Sequence, residues 1–150
     1  MKGRIISVNI SDNKGEKKHN VEKCRLIKDI GLENDAHAGF MHRQVSLLAI
    51  ESIKKMREKN LDVHPGDFAE NITTEGIDLV SIPVGTLLKA GSNVTLRISQ
   101  IGKVCHARCA IFQQTGDCIM PKEGIFAEVL EEGEIKVGDE IQILNDKIKR

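Results

Sequence analysis

Short runs of β-branched and aliphatic residues, separated by glycine-containing turns, dominate this sequence and limit its possible folds. Residues 3–10 form one such run, and Val94–Ile101 forms another directly after a Gly-Ser-Asn turn. One segment, residues 49–60, places apolar residues at helical spacing and charged residues on the opposite face. Many short strands, regular turns and a single helix predict a mostly β fold, a barrel or closed sheet with helical insertions.

The length and the net charge of the chain limit its number of domains and its possible partners. The 150 residues fit a single domain, which we place at residues 1–144, followed by a polar tail at 145–150. Lys plus Arg equals Asp plus Glu at 22 each, and Trp and Tyr are absent, so we expect no nucleic-acid partner. No apolar run approaches the roughly 20 residues that span a bilayer, and residues 1–10 resemble a strand more than a signal peptide. We therefore expect a cytoplasmic protein with no membrane partner.

The side chains with the most reactive chemistry are concentrated in residues 102–118. Three of the four cysteines lie there, and Lys103 and Arg108 flank the first of them, Cys105. A thiol reacts as the thiolate, which nearby positive charge or a helix N-terminus stabilises. If residues 105–113 are helical, Cys105 stands close to such an N-terminus, and we predict that it is the reactive thiol.

The cysteines have two other interpretations. Together with His106, the thiols of Cys105, Cys109 and Cys118 can form a zinc site, although the spacing C-x3-C-x8-C differs from the paired pattern of most structural zinc sites. They can also be small buried apolar side chains. Cys24, which lies in an apolar-polar alternation, is predicted to be a small buried residue of this last kind.

Two further polar segments interrupt the apolar pattern. Residues 31–42 combine glycines, acids and two histidines at a junction between apolar elements, which suits a functional loop as well as a solvated one. Residues 67–76 contain Asn71 and Thr73, whose side chains can donate hydrogen bonds. From the residues alone, we interpret this second segment as turn and cap chemistry.

In their order along the chain, several segments resemble the MOSC domain, the module named after the C-terminal part of molybdenum cofactor sulfurase. They are DAHAG at 35–39, RQVSLL at 43–48, PGDFAENITTEGI at 65–77, LKAG at 88–91, SQIGKVC at 99–105, and residues 133–143 with their Val-Gly-Asp turn. The resemblance implies a MOSC-type β-barrel, similar to the β-barrel domain of pyruvate kinase, with a few helical insertions. It also implies one characteristic cysteine, which falls on Cys105.

The resemblance further implies binding of the molybdenum cofactor, molybdopterin. Cys105 would either carry sulfur as a persulfide during sulfuration of the cofactor or ligate its molybdenum. The positions expected to hold the cofactor or to tune the thiol are His37, Arg43, Asn71, Thr73, Lys103 and Arg108. Cations suit the phosphate of a pyranopterin, and amide and hydroxyl groups suit its ring.

The implied partners are proteins of molybdenum cofactor biosynthesis. No desulfurase motif is visible in the sequence, so a sulfur carrier of this kind would need a cysteine desulfurase as its source. An alternative is a molybdenum-dependent reductase of N-hydroxylated compounds, which would need an electron-donor protein because the sequence has no flavin, haem or nicotinamide motif. A zinc-stabilised, non-enzymatic domain is the third hypothesis.

Overall fold

The computed structural model describes residues 1–13, 16–36, 38, 44–102 and 123–144. Within these ranges the chain forms eleven strands and one helix, α1. In chain order they are β1 Lys2–Ile10, β2 His19–Asn20, β3 Lys23–Ile27, β4 Gly31–Leu32, β5 Val45–Ala49, α1 Ile50–Arg57, β6 Ile72–Glu75, β7 Leu87–Ala90, β8 Val94–Ile101, β9 Ile125–Glu131, β10 Gly133–Lys136 and β11 Glu140–Ile143.

Seven of these strands close into a barrel. Their order is β11, β7, β8, β9, β5, β6, β1, and β1 pairs in turn with β11, so that Lys2 lies opposite Gln142. Six of the seven pairings are antiparallel, whereas β5 and β6 are parallel and are joined through α1. The remaining strands lie outside the ring: β2 pairs with the end of β1, and β10, β3 and β4 form a small separate sheet. The predicted mostly β, barrel-type fold is confirmed.

Alternating side chains of the barrel strands divide between two apolar clusters. Val45 and Leu47 of β5 belong to the larger cluster, which we call the inner core and which includes aliphatic residues of all seven barrel strands. Leu48 points to the opposite face of β5 and belongs to the smaller cluster. We call this second cluster the outer core; it consists of Leu48, Ile50, Ile53, Met56, Val63, Phe68 and Phe126.

Helix α1 covers part of the outer face because its apolar residues share one side. Ile50, Ile53 and Met56 are buried at spacings of three residues. The helix begins one residue later and ends three residues earlier than the predicted segment 49–60, and Asn60 beyond it has φ 66°, a left-handed conformation that does not continue a helix. Within the part of the chain that the structure describes, no helix is long and apolar enough to cross a membrane.

Two strands differ from the sequence predictions. The interpretation of residues 67–76 as turn and cap chemistry is wrong for their second half, because Ile72–Glu75 forms β6 between β1 and β5. Thr73 and Thr74 are polar but β-branched, and pairing on both sides overrides their turn tendency. The sequence analysis also leaves Ile125–Glu131 unassigned, although this segment forms β9 and supplies Ile125, Ala127 and Val129 to the inner core.

Candidate functional site

Three neighbouring strands bring polar residues together at one end of the barrel. Asn9 lies near the end of β1, Ser46 near the start of β5, and Asn71 directly before β6. The register aligns them, since Ile72 lies opposite both Val8 and Leu47. The backbone N–H of Asn9 donates to the carbonyl of Asn71 at 2.6 Å, so the alignment continues past the end of the β6 ladder.

The Asn71 side chain joins these elements to one another. Its Nδ2 donates to the carbonyl of Asn9 at 3.1 Å and to Oδ2 of Asp35 at 3.0 Å. Its Oδ1 accepts from the backbone N–H of Ser46 at 3.0 Å and from the Ser46 hydroxyl at 3.2 Å. Asn71 is buried, and both ends of its amide are bound to protein groups. It therefore fixes the turn that contains Asp35 against β1 and β5.

A buried ion pair extends the network. Lys18 Nζ lies 2.6 Å from Oδ1 of Asp35, and both side chains are completely buried. Lys18 also donates to the Ser11 hydroxyl at 3.1 Å, and the backbone N–H of Ser11 donates to Asp35 Oδ1 at 3.1 Å. Burial alone would raise the pKa of Asp35, but the hydrogen bond and charge of Lys18, with the Asn71 and Ser11 hydrogen bonds, outweigh it and lower the pKa. Asp35 is thus held as a carboxylate.

A second carboxyl group, that of Glu70, lies on the other side of Asn71. Its Oε2 accepts from the Thr73 hydroxyl at 2.7 Å and from the backbone N–H of Gly66 at 2.9 Å. Its Oε1 is buried without a hydrogen-bond partner among the described residues. Burial raises the pKa of Glu70 to about 7, in spite of the donors to Oε2. The pKa of one buried carboxyl group in this region, Asp35, is therefore lowered, and that of the other, Glu70, is raised.

The structure places two of the predicted site residues in this network. Asn71 is bonded as described above, and the Thr73 hydroxyl, besides donating to Glu70, accepts from Asn9 Nδ2 at 3.3 Å. Both residues are buried and hold other parts of the protein in place, while their contact with a cofactor stays a prediction. The other predicted site and zinc-site residues lie outside the described ranges: His37, Arg43, Lys103, Cys105, His106, Arg108, Cys109 and Cys118.

The positions in the barrel at which residues 39–43 and 103–122 join the described strands are defined. Residues 39–43 lead into β5, whose Val45 lies opposite Ala127 of β9. Residues 103–122 follow β8, where Gly102 donates through its backbone N–H to the carbonyl of Gly124 at 2.7 Å. Gly124 and Ala127 are three residues apart, roughly 10 Å along an extended chain. The segments that carry Arg43 and Cys105 thus attach to two strands on either side of β9.

A cleft of about 520 Å³ opens beside α1, near Glu123. Among the described residues, its ionisable lining consists of the carboxyl groups of Glu51, Asp78 and Glu123 and the ammonium group of Lys55. Lys55 is bound to Glu123 at 3.0 Å. The described part of the lining therefore carries an excess of negative charge, which by itself disfavours an anionic phosphate.

Cys24 is the cysteine that lies among the described residues. Cys24 is half-buried in β3 and packs at the edge of the inner core, so the prediction of a small buried residue is confirmed only in part. Burial is the main reason that its thiol pKa is raised, which disfavours the thiolate. Among the residues that the structure describes, no group of three or more His, Cys, Asp or Glu side chains is arranged to hold a metal ion.

Several members of the network carry little signal in the sequence. Lys18 lies in a lysine-rich hairpin segment and carries no signal of burial, because a lysine is almost never fully buried unless it is paired. Asn9 and Glu70 were not singled out either. A polar residue at the end of an apolar strand, as at Asn9, and an acid beside Asn71 were the only signals available.

Comparison with known proteins agrees with this architecture. The YUAD protein from Bacillus subtilis has a solved structure with a TM-score of 0.80 and 20% identity, over 95% of this chain and 96% of that one. YiiM from Geobacillus stearothermophilus gives a TM-score of 0.70 at 20% identity, over 95% of this chain and 75% of that one. YiiM from Escherichia coli gives 0.69 at 19%, over 96% and 70%. At these identities the likeness shows the fold alone.

No curated protein matches the chain in sequence. The sequence model of the MOSC domain, however, matches residues 34–142. This range begins one residue before the ion-paired Asp35 and ends within β11. Because it covers more than half of the chain, the protein belongs to the MOSC domain family.

Proposed function

We propose that this protein binds the molybdenum cofactor, molybdopterin, and transfers sulfur through Cys105. The observation that carries the proposal is the MOSC match over residues 34–142, a range that contains every residue assigned to the site from the sequence. Cys105 lies inside it, four residues beyond Ile101, the last residue of β8. The proposal places the protein in the cytoplasm, with proteins of molybdenum cofactor biosynthesis as its partners.

The donor set of the chain fits this cofactor by its chemistry. Arg43, Lys103 and Arg108 supply cations for a phosphate, His37 supplies a further donor, and Cys105 supplies a soft sulfur ligand for molybdenum. When bound, the cofactor would supply a molybdenum centre that accepts sulfur or exchanges electrons. Asn71 and Thr73 contribute differently, because their hydrogen bonds are made within the protein. We assign them to positioning the turns around Asp35 and Gly66.

Cys105 would act as a nucleophile in the first half of sulfur transfer. Its thiolate attacks the terminal sulfur of a persulfide on a cysteine desulfurase, the sulfur–sulfur bond of the donor breaks, and the donor leaves as a thiolate. Cys105 is then a persulfide, and no net oxidation has occurred. Lys103 and Arg108, on either side in sequence, favour the thiolate form that this attack requires.

The test is elemental analysis and mass spectrometry of the protein, purified without reductant from cells supplied with molybdate. We expect bound molybdenum and pterin, or a mass increase of one sulfur atom on Cys105, both lost in Cys105→Ser. The matched control is Cys24→Ser, since Cys24 lies in β3 with a raised pKa and should leave loading unchanged. Equal losses in both variants would contradict the role of Cys105.

Two other results would support one of the alternative functions instead. One zinc ion per chain without pterin would favour the zinc-stabilised domain. Loaded protein that reduces an N-hydroxylated base with an added electron donor would favour the reductase instead of the sulfur carrier.

A further inference from the structure

Glu70 is hydrogen-bonded to three different parts of the protein. Through Oε2 it binds the backbone of Gly66 and the hydroxyl of Thr73, and through its carbonyl it accepts from Asn9 Nδ2 at 3.2 Å. It therefore ties the turn at residues 64–71 to β6 and to β1 at the same time. Asn71, the next residue, continues these bonds to Ser46 and Asp35.

The turn that Glu70 closes is held in a conformation that the chain would not adopt unaided. Ala69 has φ 64°, a left-handed value that costs a residue with a side chain free energy. At Gly66 the backbone approaches so closely that an added Cβ would lie 2.3 Å from the carbonyl oxygen of Lys18. The Lys18 backbone N–H donates to the Gly66 carbonyl at 2.8 Å. Once the bonds from Glu70 are lost, the strain at Ala69 favours opening.

No positively charged group among the described residues pairs with Glu70. Hydrogen bonds from Gly66, Thr73 and the backbone of Phe68 and Glu70 stabilise its charge, but the effect of burial is larger. The lysines on the neighbouring segments are paired with other acids: Lys18 lies 2.6 Å from Asp35 and Lys17 lies 4.0 Å from Asp67. The His64 ring, which is charged only when protonated, lies 3.3 Å from Asp62 and 3.6 Å from Asp67. None of these groups is an ion-pair partner of Glu70 among the described residues. A proton on Oε1 leaves Oε2 free to accept its two hydrogen bonds, whereas ionisation leaves a buried charge that water would stabilise.

We propose that Glu70 is a proton-controlled latch: its neutral form holds the 64–71 turn closed against β1 and β6, and its ionised form releases the turn toward water. The released turn takes with it the Asn71 side chain, so that the ties between Ser46, Asn9 and Asp35 loosen together. The proposal rests on the contacts of Glu70 and does not depend on the cofactor or on Cys105.

Hydrogen exchange of the Gly66 amide measures the latch directly, because this N–H donates to Glu70 itself. For a carboxyl group that titrates near 4.5 when released and near 7 when closed, the protection factor should fall roughly fortyfold from pH 5 to pH 7 and level off above about pH 7. Glu70→Gln should remove this dependence. Glu128→Gln, a control at a partly exposed acid that pairs with Arg97 on the barrel wall, should keep it.

Two results would overturn the latch. The amide of Ile98, which donates to Thr86 within the barrel, reports global unfolding, and equal protection of Gly66 and Ile98 at every pH would mean that the turn does not open locally. Because Glu70→Gln can fail to fold, the carboxyl carbons of the wild-type protein should also be titrated by NMR. A wild-type protein in which every glutamate titrates below about pH 5.5 would likewise contradict the proposal.

Discussion

The two faces of strands β5 and β6 are both buried, yet they are buried in opposite ways. On the inner face, Leu47 and Ile72 pack into an aliphatic core. On the outer face, Ser46 and Thr73, with Asn71 directly before β6, are also buried, but each is held by specific hydrogen bonds. The same few residues of chain thus contribute to stability through apolar area on one side and through donor-acceptor pairing on the other.

This difference determines how each face responds to change. Aliphatic packing is non-directional, so an inner residue can be exchanged for another of similar volume at small cost. A buried polar network has no such tolerance, because removing one member leaves the others without partners. The outer face should therefore be sensitive to chemistry and the inner face to volume.

The largest effect is expected at the buried ion pair. Lys18→Met leaves the Asp35 carboxylate buried without its cation, and we expect a loss of about 4 kcal/mol in the free energy of unfolding. Urea denaturation followed by circular dichroism measures it. The double variant with Asp35→Leu should recover part of the loss, since no charge is then left unpaired. A double variant as unstable as the sum of the two single variants would contradict this account.

The second largest loss of stability is expected for substitutions on the inner face. Leu47→Ala removes buried methyl groups from a fully inaccessible position and is expected to cost about 3 kcal/mol. Leu47→Met, which nearly keeps the volume, should cost less than about 1.5 kcal/mol. Thermal or urea unfolding distinguishes the two variants. If the methionine variant were as unstable as the alanine variant, volume alone would not describe this face.

Two opposite pKa shifts on the outer face predict a stability maximum at mildly acidic pH. Asp35 has a lowered pKa, so its contribution is present above its ordinary value of 3.8 and is lost as the pH falls through the folded-state value. Glu70 has a pKa raised from 4.5 to about 7, so its contribution is present below 4.5 and is lost as the pH rises to about 7, on the order of 3 kcal/mol in all.

Urea midpoints measured from pH 3 to pH 8 test this profile. Asp35→Asn should remove the dependence that Asp35 contributes on the acid side, and Glu70→Gln should flatten the decline between pH 5 and pH 7. A wild-type profile that is flat over that second interval would show that Glu70 ionises without cost in the folded protein.

The smallest changes in stability are expected when threonine is replaced by valine at either of the adjacent positions 73 and 74. Thr73→Val removes a hydroxyl that bonds Glu70 and Asn9, and should cost about 2 kcal/mol. Thr74 lies on the inner face with Ile72, and its buried hydroxyl has no partner among the described residues. Thr74→Val should therefore stabilise the protein by up to about 1 kcal/mol. Melting temperatures of the two variants should move in opposite directions, and a shift in the same direction would refute the assignment of the faces.

Much of the inner face was predictable from the sequence, apart from the residues that β6 and β9 contribute to it. The runs that became β1 and β8, the helix α1 and the barrel class all follow from apolar periodicity and glycine turns. The outer network was not predictable, because its bonds join residues far apart in sequence, such as Lys18 with Asp35 and Asn9 with Thr73. Local periodicity does not reveal that a charged or amide side chain will be buried. The resemblance to the MOSC domain singled out Asn71 and Thr73, but not the internal bonds that they make.

The pairing of β1 with β11 has a consequence for how the protein is made. The contact between Lys2 and Gln142 closes the barrel, as does the bond from the Ile5 N–H to the carbonyl of Asp139. A ribosome that adds about 5–20 residues per second takes on the order of ten seconds to proceed from β1 to β11. During that interval β1 has an unpaired edge, and edges of this kind recruit other strands. The edge of β1 that β11 covers thus stays open to other strands until the last barrel strand emerges.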